Sequence, residues 1–133
     1  MCSSDLRASS YRAYKKSVAP ILTSMARAQR SLDDIKRLAG SDATALVGLA
    51  GRLASHSKAL NVVAVPDELK AAHALLASAV NLAETAVKTR RQATLSGELQ
   101  LAWDASSAAA GSMMLLSRAQ EDMEAAVRLP EIR

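Results

Sequence analysis

The sequence predicts an all-α protein, an antiparallel up-down-up-down four-helix bundle. Alanine and leucine supply 28 and 18 of the 133 residues, whereas Phe is absent and there are only 5 glycines, 3 prolines and three aromatic residues. A β-sandwich or barrel needs more β-branched and aromatic residues and more turns, and a disordered chain is less apolar. Apolar residues also recur at steps of three and four in four segments separated by short breaks. Helices joined by short connections lie antiparallel to their neighbours, which predicts the bundle.

The first two helices are predicted from apolar stripes that run along one face. Gly40 suits the C-terminal cap of the first helix, and Pro20 inside its stripe predicts a kink or a fresh helix start. Asp42 is the predicted N-cap of the second helix, which ends near Asn61. The two stripes comprise Tyr11, Tyr14, Val18, Ile21, Met25, Ala28, Leu32, Ile35 and Ala39, and then Leu46, Leu49, Leu53, His56 and Leu60.

The third and fourth helices follow a short connector at residues 62–65. Pro66, Asp67 and Glu68 favour the first turn of the third helix, and Ser96 and Gly97 end it. The fourth helix is predicted to end before Pro130. The two stripes comprise Leu69, His73, Leu76, Val80, Ala83, Val87 and Arg90, and then Ala102, Ser106, Ala109, Met113, Leu116, Gln120, Met123 and Val127.

The chain is long enough for one domain, which we place at residues 20–129 with a tail at 130–133. Residues 7–19 are predicted to form a helical connector that is continuous with the first helix and projects past the bundle. Residues 1–6 match the translation of GTG TGC TCT TCC GAT CT with GTG read as an initiator, a string that resembles the end of a common short-read sequencing adapter. We therefore expect these six residues to be non-native and the chain to be the C-terminal fragment of a longer bacterial protein.

Charge and cysteine content restrict the classes of partner. Residues 1–40 carry eight basic and three acidic residues, and residues 96–133 carry three basic and six acidic ones. This asymmetry indicates either attraction between the two ends of the chain or contact with an anionic surface. The chain has no dense basic stripe and no set of aromatic residues for stacking on bases, so its sequence does not indicate a nucleic-acid partner. Cys2 is the only cysteine and therefore has no partner for an intrachain disulfide. No apolar run approaches the ~20 residues that span a bilayer, so we expect membrane contact only through an anchor lost upstream, and the compartment stays open.

Three residues are predicted to form a polar layer inside the bundle. Positions equidistant from a turn lie level in an antiparallel pair, which places His56, His73 and Gln120 together with Met25 beside them. Such a layer either fixes the register of the helices or binds a ligand or a metal. Two imidazoles need a third strong ligand, and no Glu-x-x-His motif is present, so no metal or cofactor is assigned.

A second cluster is predicted at the opposite end, near the third turn. The same levels bring Arg90 to Trp103, with Arg91 and Asp104 alongside. A guanidinium over an indole is attracted by about 0.5–2 kcal/mol. The cluster either closes the end of the bundle or binds an anion through the two arginines. The small residues at 105–112 likewise have two interpretations, close helix packing or a cavity for an apolar ligand.

No sequence motif indicates catalysis. There is no glycine-rich phosphate loop and no nucleophile elbow, and most helical Ser and Thr side chains bond their own backbone. We therefore expect a non-enzyme, and two functions remain. The first is an interaction or scaffold module that binds a protein partner or an upstream domain through residues 7–19. The alternative is a small-molecule or metal-sensing bundle that uses the polar layer.

Overall fold

The computed structural model describes residues 3–39 and 43–128 and is all-helical, as predicted. Its helices are α1 (Ser3–Lys36), α2 (Ala43–Leu60), α3 (Lys70–Ser96) and α4 (Leu99–Arg128), with a 3₁₀ turn at Asp67–Leu69. The described residues contain no strand. Gly40, Asp42, Cys2 and the tail at 130–133 lie outside the described residues. Packing contacts between the helices are consistent with a bundle.

The apolar stripe predicted for α1 is the buried face of that helix. Its core residues from Tyr14 onward are at most 4% exposed, and they occur at steps of three and four. The helix continues through Pro20, which is exposed. The stripe is buried because α1 packs mainly against α4 and also against α3.

The end of α1 falls two residues earlier than Gly40, the predicted cap. Leu38 has a left-handed backbone with φ of 63°, the amide of Ala39 donates to the Asp34 carbonyl, and that of Leu38 donates to Ile35. This is a Schellman motif, in which glycine usually takes the left-handed position. A leucine there is strained because its Cβ crowds the backbone.

The prediction that residues 7–19 project past the bundle is wrong for their apolar side. Tyr14 and Val18 are fully buried, and the Arg7 guanidinium lies 3.4 Å from the Glu68 carboxylate. The prediction took residues 62–65 as the connector between the second and third helices and residues 66–68 as the first turn of the third. The connection instead takes residues 61–69, and Glu68 and the start of α3 lie beside this part of α1.

The buried face of α4 also differs from the prediction by one position in each heptad. The inward residues are small ones, whereas Met113 is half-buried and Gln120 is exposed. Small inward side chains let the backbone of α4 approach α3, where the Ser112 hydroxyl donates to the Ala79 carbonyl at 2.7 Å. The buried residues of α4 are Ala102, Ala105, Ala109, Ser112, Leu116 and Ala119.

The α3–α4 interface is the most extensive helix contact of the molecule. Small residues face it at intervals of seven on both helices, and a Cβ added to Gly111 would lie 3.2 Å from Leu82 Cδ1. These small residues are Ala72, Ala79, Ala86 and Ala93 on α3, with Ala105, Ser112 and Ala119 on α4. The run at 105–112 therefore packs closely, as one of its two interpretations expected.

Candidate functional site

A buried polar contact joins α1, α2 and α3. The Tyr14 hydroxyl lies 2.8 Å from His73 Nδ1, and His73 Nε2 lies 3.0 Å from the Leu60 carbonyl oxygen. The two rings meet edge to face, with centroids 5.6 Å apart. Leu60 ends α2, so His73 satisfies a carbonyl that the end of the helix leaves without an intrahelical donor.

The partners determine the tautomer of His73. A carbonyl oxygen only accepts, so Nε2 carries the proton and donates it to Leu60. Nδ1 is then the acceptor in the neutral ring, and the Tyr14 hydroxyl donates to it. Burial raises the pKa of Tyr14 to about 12, because the phenolate would be poorly solvated there. The contact is therefore fully hydrogen-bonded in its neutral form.

The hydrogen bonds of His73 go to Tyr14 and to the Leu60 carbonyl and not to the other residues of the predicted layer. Gln120 is exposed, and Met25 is fully buried in the apolar core. His56 is half-buried, and its pKa is lowered by burial and by the positive charge of Arg52. The sequence reasoning missed Tyr14, although a tyrosine in an apolar stripe signals that its hydroxyl needs a partner.

The groups needed for a metal site are also not gathered. Within the described residues, no three His, Cys, Asp or Glu side chains come close enough to hold a metal ion. His73 uses both of its ring nitrogens within the chain.

The cluster predicted near the third turn is mostly open to solvent. Arg91, Trp103 and Asp104 are exposed, and Asp104 accepts a hydrogen bond from Gln100 at 3.0 Å. Arg90 is half-buried, and its Nε has no hydrogen-bond partner in the described part of the chain. In the described part of the chain, Arg90 does not stack on the indole of Trp103.

Exposed apolar side chains instead gather at this end of the molecule. Leu95 lies in the last turn of α3 and Leu99 starts α4. Trp103 shares a face of α4 with Leu99 because it lies four residues on. The Ser106 hydroxyl, one turn beyond Trp103, donates to the Lys36 carbonyl at 2.6 Å. This bond brings the end of α1 to the same end of the molecule. We call Leu38, Leu95, Leu99 and Trp103 the apolar tip.

Comparisons with protein-family models, curated proteins and solved structures found no match. In the described residues, every helix is too short or too polar to cross a bilayer.

Proposed function

We propose that the chain is a non-catalytic helical-bundle module that binds a protein partner through its apolar tip. The observation that carries this proposal is the exposure of four large apolar side chains at one end. Leu38, Leu95, Leu99 and Trp103 are 42%, 67%, 60% and 50% exposed. Exposed apolar side chains that lie together mark surfaces where another protein docks.

The backbone at Leu38 supports this assignment. A left-handed leucine costs about 1–2 kcal/mol, which glycine at the same position avoids. The strained residue keeps an apolar side chain partly in solvent at the end where the other three are exposed. Strain of this kind concentrates at functional positions, so a binding role for the side chain accounts for it.

The helix order that forms the tip is part of the proposal. We propose that the helices run up-down-up-down. Arg7 contacts Glu68, just before α3, and Tyr14, further along α1, contacts His73, further along the chain. Residue numbers therefore increase in the same direction along both helices, which supports a parallel orientation for α1 and α3. The two-residue connection between α3 and α4 supports an antiparallel one. In this order, the end of α1 lies beside the α3–α4 turn.

A selection from a displayed peptide library tests the proposed surface. The purified full-length chain is expected to enrich apolar, helix-forming peptides. The triple variant Leu95→Gln, Leu99→Gln and Trp103→Gln is expected to lose their binding, because it removes the apolar contact while its positions are exposed. Circular dichroism checks that the variant stays folded.

The matched control is Met114→Gln, which removes an equally exposed apolar side chain of α4 outside the tip. Peptide binding should survive in this control. Failure to enrich any apolar peptide, or equal binding by the triple variant, would contradict the proposal.

The alternative, a sensing bundle around His56, His73 and Gln120, has less support. Tyr14 and Leu60 occupy both nitrogens of His73, and Gln120 lies on the surface. A ligand would have to displace these internal hydrogen bonds, which costs free energy before any binding is gained.

A further inference from the structure

A groove of about 470 Å³ lies between α1 and α2. It exists because these two helices barely touch each other, whereas α2 packs on α3 and α1 packs mainly on α4. Ser24, Arg27 and Ser31 line it from α1, and Leu49 and Arg52 line it from α2. We call it the α1–α2 groove.

The α1–α2 groove is positively charged. Its lining includes no carboxylate, and in the described part of the chain neither Arg27 nor Arg52 has an ion-pair partner. Five cations lie within 4 Å of a carboxylate, namely Arg7, Arg37, Lys70, Lys88 and Arg118, whereas others such as Arg30 and Lys36 are, among the described residues, as unpaired as Arg27 and Arg52. The groove is distinguished by having two unpaired guanidiniums in one lining. Two uncompensated guanidiniums therefore face one cavity.

The local surroundings of Arg52 agree with this picture. Its Nη1 lies 3.5 Å from the position that a Cβ on Gly48 would take, so the guanidinium lies back over its own helix. Its charge reaches His56 one turn later, where it adds to burial in lowering the pKa of the imidazole. The positive field is thus felt by a neighbour and is not cancelled by an acid.

We propose that the α1–α2 groove binds a small molecule that carries a phosphate group. Guanidinium groups match phosphate oxygens with paired hydrogen bonds, and the two serine hydroxyls supply further donors. Leu49, which is buried, and Ala28 provide apolar surface for an organic part. The volume lies within the about 300–1,000 Å³ typical of ligand sites. This site is separate from the apolar tip and does not depend on it.

Isothermal titration of the full-length chain with two probes tests the proposal. Phenyl phosphate and inorganic phosphate are titrated separately in a low-salt buffer. Arg27→Gln and Arg52→Gln should each weaken the Kd at least tenfold, because each removes a charged donor pair. Both positions are exposed, so folding should persist, and thermal unfolding checks it.

The matched control is Arg30→Gln, which removes the same charge from the same helix outside the groove lining. Its Kd should stay within twofold of the parent. Tighter binding of phenyl phosphate than of phosphate would assign an organic phosphate, and equal binding would assign the free anion. No binding of either probe, or equal loss in Arg27→Gln and Arg30→Gln, would overturn the site.

Discussion

The α3–α4 interface and the α1–α2 groove are both helix pairs in an alanine-rich chain, yet one is closed and the other is open. At the closed pair, small residues recur every seven positions on both helices, and Ser112 donates across the interface. At the open pair, Arg27 and Arg52 occupy the facing positions. Two helices therefore approach closely where small side chains face the interface, and the number of small side chains in the chain does not decide this.

The two pairs also differ in how they are held. α3 buries residues along its whole length, whereas α2 buries only Leu46, Leu49, Leu53 and Leu60. Gly48 and Gly51 weaken α2 further, since each costs up to about 1 kcal/mol relative to alanine in a helix. We therefore expect the closed pair to be the more stable of the two, whereas the open pair leaves the α1–α2 groove accessible.

The largest expected effect comes from the same substitution placed in each pair. Ala105→Leu adds volume to a fully buried position of α4 and should lower the free energy of unfolding by about 1–3 kcal/mol. Ala45→Leu, at an exposed position in the groove lining, should change it by less than about 0.5 kcal/mol. Urea unfolding measures both variants. An equal loss of unfolding free energy in the two would contradict the difference between the closed and the open pair.

A smaller loss of stability is expected when the hydrogen bond that joins α1 to α3 is removed. Tyr14→Phe removes the hydroxyl that donates to His73 and leaves Nδ1 unsatisfied, at a cost of about 1–2 kcal/mol in urea unfolding. Tyr11→Phe is the control, because its buried hydroxyl makes no hydrogen bond of good geometry in the described residues, although burial and the nearby Glu68 carboxylate raise its pKa. The control should be neutral or stabilising, and a loss equal to that of Tyr14→Phe would show that the hydrogen bond contributes nothing.

Leu38→Gly should stabilise the protein, by up to about 1 kcal/mol, since glycine adopts the left-handed backbone without strain. Thermal unfolding measures this gain. If the tip binds peptides as proposed, the same variant should bind them more weakly. A destabilised Leu38→Gly would mean that the leucine side chain contributes more to folding than its backbone costs.

The smallest expected change is in how the free energy of unfolding depends on pH, through His56 of α2. The pKa of His56 is lowered on folding from 6.5, so the unfolded chain takes up this proton first as the pH falls. The free energy of unfolding should therefore decrease below pH 6.5, and His56→Gln should flatten this part of the profile. NMR titration of the imidazole should show its pKa rising in Arg52→Gln; an unchanged pKa would mean that Arg52 exerts no field there.

Sequence periodicity predicted four helices and the buried stripe of α1, because apolar spacing at three and four has one structural solution. It misplaced one position in each heptad of the α4 face, since Ser112 is less apolar than Met113 and is nevertheless the residue that is buried. It missed Tyr14 as the partner of His73 because residues 7–19 were predicted to project past the bundle, away from the start of the third helix. The spacing of apolar residues carries no information about the function of exposed ones.

Hydrogen–deuterium exchange of the full-length chain tests most directly the claim that the closed pair holds the fold and the open pair does not. Protection reports local opening free energies, which are largest in the best-packed segments. Amides in the middle of α3 and α4 should exchange at least about tenfold more slowly than those in the middle of α2, the difference expected for about 1.4 kcal/mol of local stability. Equal protection of α2, α3 and α4 would contradict the account, because the helices would then open as one unit.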